Sequence, residues 1–315
     1  MTWPRQRYPV VALYRRRPQQ YAGFPDTVPI RTVNRKRSSG LQAVADVASC
    51  IKAGFYDVGI GAGLESITID KVVPEHIRYG VTRQEQEQAA AATVTGKFKD
   101  EIVPVFTKIV DPKTGEEKPA TISVDDGILQ NTNMTDLAKL KPTFKKNGTT
   151  TAGNASQVSD GAGAVLLMKR SLAMQKELPI LSVFGSFATV GVDPAVMGSS
   201  AVAIPAAVKS AGLELDDIDL FEINEFVYSC KKLGFDREKV NVNGGAIALG
   251  CYRCSLFWNS IVRDEVSREG LSFRSDLNVH SGMGAVAVFE REEYADELCN
   301  ARVVKCNNLL SKDCQ

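Results

Sequence analysis

The residues able to do covalent chemistry in this chain are few and oddly placed. Seven cysteines stand at 50, 230, 251, 254, 299, 306 and 314, and the only histidines are His76 and His280. A thiol becomes a nucleophile as the thiolate, a form favoured by the positive end of a helix. Residues 32–66, TVNRKRSSGLQAVADVASCIKAGFYDVGIGAGLES, are built to offer such a place. They read as a strand end at Thr32 and Val33, a polar bend over Asn34–Ser39, a helix, and a second strand. The bend carries Arg37, and an arginine has no accessible neutral form with which to attack a carbonyl. Ser38 and Ser39 read as caps that accept from the free N–H groups of the first helical turn.

The elements that must position these groups follow from periodicity. Leu41, Val44, Ala45, Ala48 and Ile51 recur on one helical face, and Gly54 stands where a left-handed residue closes a helix. Tyr56, Val58 and Ile60 alternate as a strand. Thr82 opens a helix through an alanine run that Gly96 ends. Ile102, Pro104 and Phe106 predict a strand, Asp111–Gly115 a turn, Ala162–Met168 a strand, and Leu178–Val190 another. A helix is expected over Ala201–Ala211, ended by Gly212. Strands are expected at Asp217–Ile223 and Ala285–Glu290, a strand and elbow at Val240–Gly250, and an amphipathic helix at Ile261–Glu269.

The 315 residues are 44% hydrophobic and 24% charged, the composition of an ordinary globular protein with a sizeable core. A formal net charge of +1 gives no global attraction to nucleic acid or an anionic membrane, and no run has the apolar length of a membrane helix. Only the N-terminal stretch is locally basic, through Arg5, Arg7, Arg15, Arg16 and Arg17. An odd number of scattered cysteines argues against a disulfide framework and for a reducing compartment. Cys251 and Cys254 form a lone CxxC without a second ligand pair at suitable spacing, so no metal is expected.

Three segments carry a specific resemblance: VNRKRSSGLQAV at 33–44, TAGNASQVSDGAGAVLLM at 151–168 and VNVNGGAIALG at 240–250. Together they resemble the thiolases, and among them the peroxisomal 3-ketoacyl-CoA thiolases, over residues 21–302 with gaps. The resemblance implies an α/β thiolase-like fold, two similar mixed-sheet halves in a layered αβαβα arrangement whose elbow helices meet at the centre, with the N-terminal half incomplete. VNRKRSSG and VNVNGGAIALG are the faint internal repeat expected of such halves. The implied division is an arm at 1–20, a partial N-terminal half with a shortened loop domain at 21–168, a C-terminal half at 169–302 and a tail at 303–315.

The family reads V-N-R-x-C-S-S-G-L-Q-A-V, and its acyl-accepting cysteine falls at Arg37. Its N-E-A-F-A motif, whose asparagine holds a water in an oxyanion hole, matches at Asn224 and Glu225 and departs after them. Its histidine falls at Cys251. In C-x-G-x-G-M-G the second cysteine, the acid/base, falls at Asn278, and the glycine of a second oxyanion hole falls at His280. Ser156 matches the serine beside the pantetheine arm of CoA; read without the family, TAGNAS is an ordinary Ser/Asn turn. Met197 matches a methionine lining the same tunnel. Basic residues over Lys139–Lys146 read first as a solvated face and second as partners for CoA phosphates.

The resemblance implies thiolytic cleavage of a 3-ketoacyl-CoA by CoA in fatty acid β-oxidation, with CoA a substrate rather than a bound cofactor, and assembly as a homodimer. Thiolysis needs a thiolate to attack the keto carbon, a base for the incoming CoA thiol, and donors for the thioester oxygen. Arginine, cysteine and asparagine at 37, 251 and 278 predict an impaired or inactive enzyme. The alternative is a thiolase-like protein without turnover that binds CoA or pairs with an active subunit. Cys251 as a substitute nucleophile lacks a base partner. The ketoacyl synthases share the fold but need an active cysteine and two histidines, a poorer match. A peroxisomal location follows from the resemblance. Residues 1–20 do not match the family's targeting form, and the chain ends Lys-Asp-Cys-Gln rather than Ser-Lys-Leu.

Overall fold

The structure is a computed structural model. It describes residues 23–25, 27–35, 38–65, 82–99, 102–111, 113–124, 127–128, 133–142, 146, 148, 151–153, 161–192, 200–223, 226–249, 271–278 and 283–291. Met1–Asn34 and Arg35–Gln315 form separate units. In the first, a turn is closed by the Val28 N–H donating to Pro25 O at 3.0 Å.

The second unit is arranged around helix α1 (Ser39–Lys52), which buries Gly40, Leu41, Val44, Ala45 and Ile51. Strand β1 (Val58–Glu65) pairs antiparallel with β4 (Gly161–Met168). A four-stranded sheet runs in the order β5 (Ser182–Gly191), β8 (Met283–Arg291), β7 (Leu271–Asn278), β6 (Leu220–Ile223). In it β8 is antiparallel to both neighbours, and β6 and β7 are parallel.

The alternation of side chains along β8 explains the layering. Ala285, Ala287 and Phe289 face Leu41 and Val44 of α1, together with Val165 of β4. Val286 and Val288 face the opposite way, onto Ala203, Ile204, Ala207 and Val208 of helix α5 (Ser200–Ala211). A strand covered on both faces reads as an unbroken apolar run, and Ala285–Phe289 is one. Helix α1 therefore lies between β1–β4 and the larger sheet, as expected of a central elbow helix.

Close approach of α1 to β1 depends on glycine. A Cβ on Gly61 would lie 2.9 Å from Val44 Cα and 3.0 Å from Val44 N, so the helix backbone itself occupies that space. The opposite face of the pair leaves Val58 44%, Ile60 44% and Leu166 57% exposed, with Ile60 directly opposite Leu166.

A third cluster joins helix α2 (Thr82–Val94) to the short helix α7 (Ala246–Leu249) through Ala89, Ala92, Phe98, Ala248 and Leu249. Strands β2 (Val105–Val110) and β3 (Glu117–Ile122) form a separate hairpin whose side chains are almost all exposed. Short helices α3 (Met134–Ala138) and α4 (Arg170–Gln175) flank β4 in sequence, and α6 (Phe226–Leu233) follows β6.

Several boundaries differ from the sequence expectation, for local reasons. Strand β2 starts at Val105 because Pro104 has no N–H to give a ladder. Strand β5 starts at Ser182, beyond Pro179. Strand β6 starts at Leu220, since Leu215–Asp217 forms a 3₁₀ turn in which Asp217 Oδ2 accepts from the Glu214 N–H at 2.8 Å. Of the strand and elbow expected at Val240–Gly250, the strand is one bridge, Phe221 to Val240, and a turn closed by the Gly244 N–H on Asn241 O leads into α7. Ser38 is the N-cap of α1 but makes no side-chain capping bond, and Ser39 Oγ accepts from the Arg35 N–H upstream instead. Gly54 closes α1 at φ 78° as expected. Strand β7 was not anticipated, and the expected helix at 261–269 lies outside the described residues.

Candidate active site

Strands β6 and β7 are parallel, β7 runs three residues past the end of β6, and the start of β8 folds back beside the end of β7. Ligands of α/β folds gather outside the carboxyl ends of parallel strands. Ile223, the last residue of β6, pairs with Ser275 of β7, and Asn278 at the end of β7 pairs with Met283 at the start of β8. Asn278 is thus about 10 Å further along β7 than the Ile223 pairing, at roughly 3.3 Å per residue.

The head of α1 reaches the same place through Arg35. Its Nη1 approaches Met283 Sδ at 3.9 Å, and its Nε donates to Gln42 Oε1 at 2.6 Å. Gln42 Nε2 donates onward to Asp46 Oδ1 at 2.7 Å, so the guanidinium is tied into a polar row along one face of α1. These contacts bring the Arg35 side chain to the strand pair that ends at Asn278 and starts at Met283.

The end of β6 is held from its other side. Asn241, 1% exposed, accepts the Ile223 N–H at Oδ1 (2.8 Å) and donates from Nδ2 to Ile223 O (2.9 Å). Two residues on, Asn243 Oδ1 accepts from Lys97 Nζ at 3.1 Å. Gly244 then takes φ 92°, a conformation open to glycine, as the chain turns into α7.

Of the site positions read from sequence, Asn278 is placed by its backbone at the end of β7. Arg37, Ser156, Met197, Asn224, Glu225, Cys251 and His280 lie outside the described residues. What the structure shows is some of their flanks: Arg35, two before Arg37, contacts Met283, the partner of Asn278, and Ile223, one before Asn224, pairs with Ser275 on the same strand β7. Sequence reasoning passed over Arg35, Gln42, Lys97, Asn241 and Asn243. A signal existed for Asn241 and Asn243, two carboxamides set among valines and glycines in a segment otherwise fit for burial.

Cys230, buried in α6 against the core, is not a reactive group. Burial pushes its thiol up to about 11 from the ordinary 9.0, against a smaller opposing pull from the Arg237 charge. Among the described residues, no group of three or more His, Cys, Asp or Glu is placed to hold a metal ion, and no helix is long and apolar enough to cross a membrane.

Comparison with known proteins gives one consistent result. The family model "Thiolase, N-terminal domain" matches residues 12–87 and 78–171, and "Thiolase, C-terminal domain" matches 178–252. The chain is 60% identical to a peroxisomal 3-ketoacyl CoA thiolase 1 of Petunia hybrida, over 93% of this chain and 73% of the relative. It is 58% identical to peroxisomal 3-ketoacyl-CoA thiolase 2 of Arabidopsis thaliana, with the same coverage. The dimeric peroxisomal thiolase of Saccharomyces cerevisiae superposes with a TM-score of 0.73 at 34% identity, over 90% of this chain and 81% of that one. A human mitochondrial 3-ketoacyl-CoA thiolase in complex with CoA superposes at 0.76 and 27% identity, over 90% and 83%.

Proposed function

Because the chain belongs to the thiolase family, we propose that it is a 3-ketoacyl-CoA thiolase relative of peroxisomal β-oxidation that retains the acyl-CoA site and has lost the group that accepts the acyl chain. Its kinship is to CoA-dependent acyltransferases, and its compartment, by its close relatives, is the peroxisome.

The observation that carries the proposal is Arg37 at the position of the family's nucleophilic cysteine. Thiolysis begins when a thiolate adds to the keto carbon. The bond between that carbon and the neighbouring CH₂ then breaks, releasing acetyl-CoA once the carbanion takes a proton. CoA thiolate next displaces the enzyme sulfur from the acyl group. Arg37 supplies no electron pair for the first step. Asn278, where the family has its acid/base cysteine, moves no proton at neutral pH. Cys251 stands where a histidine would raise the thiolate fraction. In a serine hydrolase, loss of the nucleophile alone costs on the order of 10⁶ in rate. Loss of the thiolate here is expected to abolish useful turnover.

Binding is a separate matter from turnover. Asn224 and Glu225 keep the family's types, and we assign Asn224 to the oxyanion hole, with His280 in place of the second hole's glycine. Ser156 and Met197 are assigned to the pantetheine tunnel. We assign 21–168 and 169–302 to the two thiolase halves, with 1–20 an arm and 303–315 a tail. The partners are 3-ketoacyl-CoA, CoA and a second copy of the chain. The exposed apolar face of Val58, Ile60 and Leu166 supports the pairing of copies.

The test is repair. The triple variant Arg37→Cys, Cys251→His, Asn278→Cys is assayed for acetyl-CoA release from acetoacetyl-CoA and CoA. Activity in the triple variant well above that of Arg37→Cys alone supports the reading, because residues acting as a unit are not additive. A folded triple variant that binds acetoacetyl-CoA without releasing acetyl-CoA contradicts it.

A further inference from the structure

Asn241 takes φ 51°, a left-handed conformation that asparagine tolerates better than most residues. It is fastened at three further points. Its N–H donates to Phe221 O at 2.8 Å. Its carboxamide bonds both backbone groups of Ile223, at 2.8 and 2.9 Å. Its carbonyl oxygen accepts from the Gln88 carboxamide of α2 at 3.0 Å when that amide is oriented with nitrogen toward it. A side-chain amide presents a donor and an acceptor spaced like those of a peptide. Asn241 therefore stands in for a neighbouring strand residue and closes the free side of β6 at its last position.

The next residue after Ile223 is Asn224. On its own side, Asn241 leads through Asn243 and Gly244 into α7 and then to Cys251. We propose that Asn241 is a positioning residue for the acyl end of the site, fixing the end of strand β6 at Ile223, the residue that precedes Asn224 and Glu225 in sequence. It touches no substrate and acts through the backbone of Ile223. The proposal rests on the assignment of Asn224 to the oxyanion hole made above.

The test uses the full chain. Asn241→Gly suits φ 51° and removes only the carboxamide. Melting temperature is measured, and calorimetry gives the affinities for CoA and for acetoacetyl-CoA, each alone so that no thiolysis occurs. The expected result is CoA affinity within about twofold of the unmodified chain and acetoacetyl-CoA affinity lower by about tenfold, a loss on the scale of one polar contact. An unchanged ratio of the two affinities overturns the proposal, as does a proportional loss of both that tracks a lower melting temperature. If Asn241→Gly does not fold, the ratio is read in Asn241→Asp, which keeps the acceptor for Ile223 N–H and lacks the donor for Ile223 O. If the unmodified chain binds neither ligand, the assignment of the site fails separately, and amide exchange decides the clamp. Exchange at the Ile223 amide is then about 100-fold faster in Asn241→Gly with Phe221 unaffected. An unchanged rate at Ile223 overturns it.

Discussion

Arg35 and Met283 stand 248 residues apart in the chain, and the guanidinium of one reaches the thioether of the other at 3.9 Å. The contact matters because of what each residue precedes or follows. Arg35 lies two residues before Arg37, and Met283 is the β partner of Asn278. One side chain thus ties the residue that leads into α1 to the strand pair in which Asn278 stands opposite Met283.

Arg35→Ala is expected to destabilise the fold by about 1–2 kcal/mol, the usual cost of losing a partly buried hydrogen bond to a charged donor. Arg35→Lys is expected to recover little of that, because an ammonium cannot present the fork that serves Gln42 and Met283 together. Denaturant unfolding of the three proteins checks this, and a lysine variant as stable as the original contradicts it.

Gly61→Ala is expected to cost about 1–3 kcal/mol through overpacking, since its Cβ would press on the Val44 Cγ2 methyl at 2.8 Å and also on the Val44 backbone, which cannot swing aside. Melting should fall by several degrees at roughly 2–4 °C per kcal/mol for a protein of this size class. Ala62→Gly is the control, as residue 62 points to the exposed face. Equal melting of Gly61→Ala and the unmodified chain would show that α1 is not seated as described.

Much of the fold was legible in the sequence, and the exceptions have physical causes. Helix α1 was plain from Leu41, Val44 and Ile51 because one face of a helix repeats. Strand β8 was plain from Ala285–Phe289 because a doubly covered strand is apolar throughout. Strand β7 was missed although Leu271, Phe273 and Leu277 alternate, since polar Ser272, Arg274 and Asp276 dilute the pattern. The segment at 240–250 reads by its resemblance as a strand and elbow, and the strand part shrinks to a single bridge at Val240. Asn241 takes a left-handed turn there and supplies the pairing from its side chain, which no periodicity reveals. At the site, residue types at 37, 224, 251 and 278 came from resemblance. The roles of Arg35 and Asn241 came only from long-range contacts, which leave no local signature.

The paired positions Ile60 and Leu166 offer a test of self-association. The unmodified chain is expected to form a concentration-dependent dimer in sedimentation, and the double variant Ile60→Asp, Leu166→Lys a monomer that keeps the β1–β4 pair, because both sites are exposed and opposite charges face each other across it. A double variant that associates as tightly as the original places the interface elsewhere.

Cys230 gives a pH dependence with a definite sign. Its folded-state pKa is raised to about 11 from 9.0, chiefly by burial. The stability it contributes is fully present below the unfolded value and is lost as pH rises through the folded one. Unfolding free energy should therefore decline between about pH 9 and 11 in the unmodified chain and less so in Cys230→Ala. At pH 8 the native protein should leave Cys230 unalkylated by iodoacetamide while the unfolded chain reacts. An identical decline in both proteins contradicts the assignment.

Without a thiolate at position 37 this thiolase-family chain is expected to accept no acyl group, and acetyl-CoA release reads that out. Purified chain is mixed with acetoacetyl-CoA at saturating CoA, and acetyl-CoA release is followed beside a fully active thiolase, with a limit of detection at least about 10⁴-fold below the active rate. No release above background is expected. Sustained turnover would contradict it, and iodoacetamide labelling of Cys251 that abolishes that turnover would identify Cys251 as the nucleophile.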